Sequence, residues 1–229
     1  IVIDPKGDAD LLKRDYTEAV ATGRASDLLI FNLGFPERSA RYNAIGRFSR
    51  TTEVATRIAN QLPSEGNSAA FKEFAWRFVN IIARALVCLG EQPDFERIRR
   101  YINDIEPLFI RYARYYLAEH ANEDWQDAVE ALASKVSTRN VPPAMRGRQP
   151  DAIGLYQYLQ NQGIYEPVLD GLMSTFKYDR SYFDKIVSSV GPLLEKLCSG
   201  TTAELLSPRA GDERPILDWM NVISRRGIV

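Results

Sequence analysis

The chain has 229 residues, enough for one large domain or two small ones with a well-buried core. Its 45% hydrophobic and 26% charged content excludes wholesale disorder. A formal net charge of -1 excludes the overall basic excess of a domain that lives on nucleic acid, so any DNA contact has to come from local patches, and a protein partner fits equally well.

Residues 1–3 are a short β-branched run that ends in the turn-forming cluster Asp4-Pro5-Lys6-Gly7-Asp8. Asp8 is placed to cap a helix over 9–22, with Leu11, Leu12, Tyr16 and Ala19 on one face and Gly23 as terminator. Residues 27–33 read as a second strand. This strand–helix–strand unit is the usual device for laying two strands parallel.

Beyond it no strand is predicted until the last residues. A short helix over 54–62 is stopped by Pro63. The most regular helical pattern covers 68–89, where Phe71, Phe74, Ala75, Phe78, Ile81, Ile82, Ala85, Leu86 and Leu89 form an apolar stripe. Further helices are predicted over 95–103, 107–119 and 123–136. Residues 138–151, with three prolines and Arg139, Arg146 and Arg148, read as a loop or linker. Helices resume over 152–161, 167–175 and 180–198, the last with a kink or restart expected at Gly191-Pro192. A final helix is predicted over 216–224. Cys88 and Cys198 fall in apolar helical runs, suit a reducing cytoplasm and read as small core residues. No run approaches the roughly 20 apolar residues that a membrane span needs.

The chemistry-bearing motifs are mostly missing. His120 is the single histidine, at a predicted helix C-terminus, so neither a zinc site nor a histidine-based triad can be assembled. There is no phosphate-cradling Gly-x-x-x-x-Gly-Lys-Ser/Thr loop and no apolar strand ending in Asp-Glu, and no catalytic or metal-ligating residue is assigned. Three constellations are left. The cluster 4–8 follows a strand, where α/β sheets place ligand-contacting groups; its plainer reading is a capped strand-to-helix turn. The segment 39–50 interleaves Arg41, Arg47 and Arg50 with Tyr42 and Phe48, a pattern that grips phosphates and stacks bases, or else an exposed connection. The loop 139–148 offers arginines to DNA or to an acidic partner, or is a plain solvated linker.

The sequence resembles one known family, the coupling proteins of conjugative type IV secretion of the TraD type found in integrating conjugative elements. The resemblance is carried by Val2-Ile3-Asp4-Pro5-Lys6-Gly7-Asp8, by Phe35-Pro36 with Ser39-Ala40-Arg41-Tyr42-Asn43, and by Val54-Ala55-Thr56-Arg57-Ile58-Ala59 leading into Phe71-Lys72-Glu73-Phe74-Ala75. It continues in Leu205-Leu206-Ser207-Pro208 and Pro215-Ile216-Leu217-Asp218-Trp219, running into Arg225-Arg226-Gly227-Ile228-Val229. The wider family tends to place Pro after the Tyr-Asn pair, where Ala44 stands here.

The resemblance implies a hexameric RecA-like ATPase, anchored in the inner membrane, with an all-α domain inserted into its nucleotide-binding domain and facing the cytoplasm. ATP and magnesium would belong to the parent protein, with no cofactor in this fragment. The implied partners are a relaxase in its relaxosome, single-stranded DNA and components of the type IV secretion channel. The expected fold is mainly α, a helical bundle inserted into a RecA-like α/β core with two short flanking strands near the N-terminus. The expected layout is a core remnant with its connection over 1–50, the all-α domain over 51–225 and a returning strand from 226 to 229. The chain begins at Ile1 without Met and stops as an apolar run starts, which reads as cuts made at strands. Expected partner or DNA contacts are Arg41, Arg47, Arg50, Arg146 and Arg148, with Asp4 and Lys6 as neighbours of the nucleotide site. Two rival readings are a mechanical or gating element that chooses no cargo, and an unrelated helical adaptor.

Overall fold

The computed structural model describes residues 1–4, 6–63, 68–137, 141–177, 180–209 and 211–229. Among them are eleven α-helices: α1 (Ala9–Ala21), α2 (Thr52–Ala59), α3 (Ser68–Cys88), α4 (Phe95–Asn103), α5 (Glu106–His120), α6 (Trp125–Ala133), α7 (Pro150–Asn161), α8 (Pro167–Phe176), α9 (Arg180–Leu197), α10 (Gly200–Leu206) and α11 (Trp219–Arg225). The protein is mainly helical. It divides into two compact units, one made of Ile1–Ala44 with Lys196–Val229 and the other of Ile45–Glu195.

The Ile45–Glu195 unit is a packed helical body. Helix α3 packs against α2, α4, α5 and α8, with Phe78, Ile82, Ala85 and Leu86 of its apolar stripe buried and Phe71 and Phe74 exposed, while α5 also meets α7 and α6 lies on α7. Phe109, Phe176, Ile82, Leu86, Ile98 and Leu108 are among the large side chains fully buried in this unit. Phe109 stacks on Phe176 at 4.9 Å between ring centroids. Helix starts are held by side chains: Asp94 accepts from the Arg97 amide, and Glu166 from those of Val168 and Leu169. Cys88 is exposed, against the expectation of a core residue, because it sits at the last turn of α3; Cys198 is buried. Helix α9 runs through Pro192 as one helix rather than restarting there.

The other unit is built differently. Neither predicted strand, 1–3 or 27–33, forms a strand, and no strand is present among the described residues. The segments are nevertheless aligned. Leu28 bridges Ile228 in parallel and Arg41 bridges Ile216 in parallel. The Val2 amide donates to the Val229 carbonyl at 2.6 Å, Leu29 to Ile228 at 2.8 Å, and Ala40 to Ile30 at 2.7 Å. Beside these bridges the Asn32 amide donates to the Ser39 hydroxyl at 2.8 Å.

Helix α11 returns the chain to this array. Asp218 caps its start, and Arg226, in the left-handed conformation at φ 54°, turns the chain out of its end toward Ile228. The small core gathers Ala40, Leu217 and Val222, with Leu29, Phe31, Tyr42, Trp219 and Val229 packed against it. Residues 196–225 thus group with the N-terminal segment, whereas the sequence reading drew the helical domain on to 225.

Close packing of α6 on α7 depends on Gly154. A Cβ there would meet the Val129 carbonyl oxygen at 2.8 Å and the Ala133 nitrogen at 2.9 Å, both backbone atoms that cannot swing aside. Gly154→Ala is therefore expected to destabilise the helical unit by about 1–3 kcal/mol despite the better helix propensity of alanine, read as a lower denaturant midpoint. A midpoint unchanged or raised would show that α6 and α7 are not in this contact.

Candidate functional site

The turn at 4–8 is closed on itself. Asp4 Oδ1 accepts from the Lys6 amide at 2.9 Å, and its other oxygen accepts from the Asp8 amide. These donors hold the Asp4 carboxyl below its usual range, the Lys6 amide contributing most. Asp8 caps α1 through the amides of Asp10 and Leu11, and Lys6 is exposed. Asp4, Asp8 and Asp15 line a recess of about 130 Å³ floored by Leu28–Phe31. Its carboxylates face the wrong way electrostatically for a phosphate. The capped-turn reading accounts for the geometry.

Arg41 is buried rather than presented. Its guanidinium donates to the carbonyl of Arg209 at 2.8 Å and to that of Arg214 at 3.1 Å, and lies 3.6 Å from the Asp212 carboxylate. Arg214 in turn grips Asp212 and donates to the Pro36 carbonyl at 2.9 Å. This clamp ties segments 36–41 and 209–214 together, using Arg41 to satisfy carbonyls that no ladder reaches. Tyr42 stands edge-on between Phe31 and Trp219, at 5.9 and 6.2 Å, which is core packing and not a stacking platform.

Arg47 and Arg50 lie in the helical unit, both exposed just before α2. Their segment is anchored from outside: Glu53 accepts from the amides of Ser49 and Arg50, Arg57 donates to the Arg47 carbonyl at 2.7 Å, and Gln92 to that of Gly46 at 2.9 Å. A fixed backbone presenting two arginines suits contact with an anionic group.

Of the loop arginines, Arg139 lies outside the described residues. Arg146 is exposed. Arg148 is committed elsewhere: it pairs with the buried Glu106 at 3.3 Å, donates to the Phe176 carbonyl, and sits 4.9 Å over the Phe176 ring. Glu106 also accepts from the Gln149 amide at 2.8 Å. Arg148 therefore fastens the loop to α5 and α8. Asp4, Lys6 and Arg41 belong to one unit, and Arg47, Arg50, Arg146 and Arg148 to the other.

One surface was missed by the sequence reading. Helices α5, α6 and the start of α7 border an open cleft of about 1300 Å³, whose walls include Tyr115, Ala118, Trp125 and Val129. The available signal was charge: residues 115–134 hold Glu119, Glu123, Asp124, Asp127 and Glu130 and no lysine or arginine. Among the described residues no group of His, Cys, Asp or Glu is arranged to hold a metal ion, and no helix is long and apolar enough to cross a membrane. No protein-family model, curated protein or solved structure matches the chain.

The Arg41–Asp212–Arg214 clamp has a pH signature. Hydrogen bonds from Arg214 lower the Asp212 carboxyl from 3.8 to about 2. A depressed folded value means that the ionised carboxylate stabilises the fold above about pH 4, and that this contribution disappears as pH falls toward 2. Asp212→Asn should unfold more easily than the parent at neutral pH, with the difference in denaturant midpoint shrinking steadily below pH 4. A gap that stays constant down to pH 2 would contradict the clamp.

Proposed function

We propose that the Ile45–Glu195 unit is the cargo-recognition domain of a conjugative coupling ATPase of the TraD type. The remaining residues would be the fringe of its RecA-like core, on the cytoplasmic side of the inner membrane. The observation that carries this reading is topological. A helical body with its own core interrupts a second unit, and the two halves of that unit are joined by parallel backbone pairing at Leu28 and Ile228. Residues that carry the resemblance support it, since Ala40, Tyr42, Leu217 and Trp219 gather in one cluster.

In this reading the protein recognises and delivers but does not itself hydrolyse nucleotide, ATP and magnesium being bound elsewhere in the parent hexamer. Arg47, Arg50 and Arg146 are its exposed contacts for a relaxase–DNA complex. Arg41 and Arg148 leave that role because their guanidiniums are spent on carbonyls and carboxylates of the fold.

The test is association of the purified chain with the cognate relaxase and with single-stranded DNA at low salt. Binding is expected to at least one of them, weakened about tenfold or more by combining Arg47→Glu, Arg50→Glu and Arg146→Glu, with steady-state ATP hydrolysis at background. Association with neither, or turnover of ATP above background, would end this reading.

A further inference from the structure

Arginines gather on the helical unit where the segment before α2 meets α4 and α5, and hydrogen bonds stitch them into one belt. Arg57 donates to the Arg47 carbonyl at 2.7 Å, Gln92 to that of Gly46 at 2.9 Å, and Arg97 to that of Gln92 at 3.2 Å. Glu91 then bridges Arg97 at 3.4 Å and Arg111 at 2.5 Å, which carries the belt onto α5. Residues 46–57 and 91–100 hold six arginines and four carboxylates, and Arg111 adds a seventh cation. Burial sharpens this imbalance. Arg47, Arg50, Arg57, Arg97, Arg100 and Arg111 are exposed, whereas Glu53, Glu91, Asp94 and Glu96 are buried or half-buried. Glu53 is taken up by the amides of Ser49 and Arg50 and by Arg57 at 3.1 Å, and Asp94 caps α4 through the Arg97 amide. Asp104 and Glu106, at the start of α5, belong to Arg148.

We infer that this belt holds the phosphodiester backbone of a nucleic acid without reading its bases. A chain of net charge -1 can hold phosphates only at a local excess of cations, and the belt is such an excess. Its carboxylates act on the protein side, fixing backbone and guanidiniums, while the exposed forks are left to meet phosphate oxygens. The rest of the surface decides against a peptide and against base contacts. Among the described residues no large apolar side chain is exposed between 45 and 60 or between 91 and 111, so a peptide finds no apolar anchor there. Tyr101, the aromatic beneath the belt, is buried with the Arg100 guanidinium 5.6 Å from its ring, and offers no stacking platform. Contact through phosphates alone is independent of sequence and falls steeply with salt. Naming this nucleic acid as transferred cargo rests on the function proposed above; the phosphate grip does not.

The experiment uses the whole chain and two fluorescent single-stranded oligonucleotides, one of thymidine alone and one of mixed sequence. Both should bind at low salt, with affinities within about threefold of each other, and weaken as salt rises. Arg50→Glu with Arg100→Glu leaves the ion pairs described above in place. It should weaken binding about tenfold or more and flatten the salt dependence. Lys13→Glu with Arg14→Glu makes the same change of charge at exposed positions of the other unit, and should leave binding within about twofold. Absence of binding, an undiminished affinity in the Arg50–Arg100 variant, or equal loss in both variants overturns the inference. So does a marked preference for one oligonucleotide, or displacement by polyglutamate as readily as by unlabelled oligonucleotide. Relaxase association without oligonucleotide binding removes the belt and leaves the coupling reading standing. Belt-dependent oligonucleotide binding by a chain that turns over ATP supports the belt and removes that reading.

Discussion

Backbone hydrogen bonds between distant segments hold the unit formed by the chain's two halves, among them the Leu29 amide to the Ile228 carbonyl at 2.8 Å and the Ile228 amide to the Asp27 carbonyl at 2.9 Å. They join residues nearly a chain length apart, with the whole helical unit lying in the loop between them. Closure entropy grows only with the logarithm of loop length, about 0.6 kcal/mol for each doubling. A domain-sized insertion is thus tolerated at this point, provided the inserted residues bury their own apolar surface. They do. Phe109, Phe176, Ile58, Ile82 and Leu86 are among the side chains fully buried between Ile45 and Glu195.

The unit that receives the insertion is short of hydrophobic core by comparison. Its central cluster is Ala40, Leu217 and Val222, while Ile3, Met220 and Ile223 stay 84%, 67% and 67% exposed. At roughly 25 cal/mol per Å² of apolar surface removed from water, the three side chains of this cluster, even with the buried Leu205, Ala203 and Ala19, contribute little against backbone ordering. Polar devices take up part of the task. Arg41 satisfies two carbonyls from within the unit, and Asp8 and Asp218 cap the helices that enter and leave the aligned segments. The same economy explains why Arg41 is not a surface contact: its buried guanidinium is taken up by the carbonyls of Arg209 and Arg214.

The helices were largely legible because their apolar spacing is regular. The reading of 95–103 matches α4 residue for residue, and the Phe78-Ile82-Ala85-Leu86 stripe is the buried face of α3. The strands expected over 1–3 and 27–33 are not formed, since β-branching and an apolar run report a preference for extended backbone but not whether a neighbour supplies a second ladder bond. The turn at 4–8 was readable as a cap from Asp8 alone. Arginine was the least legible residue. The sequence 39–50 gives Arg41, Arg47 and Arg50 equal standing, yet carbonyls contributed from residues 209 and 214, far along the chain, decide which of them is buried. Arg148 was hidden in the same way by Glu106 and Phe176. The acidic hairpin was visible as composition, but its cleft needs α5, α6 and α7 side by side.

Native-state hydrogen exchange on the full chain tests the two-core account most directly. The account predicts that the amides of Leu29, Ala40, Leu217 and Ile228 open together at a clearly lower free energy than those within α3, α5 and α7. Exchange of both sets at one common free energy, through a single global unfolding, would contradict it.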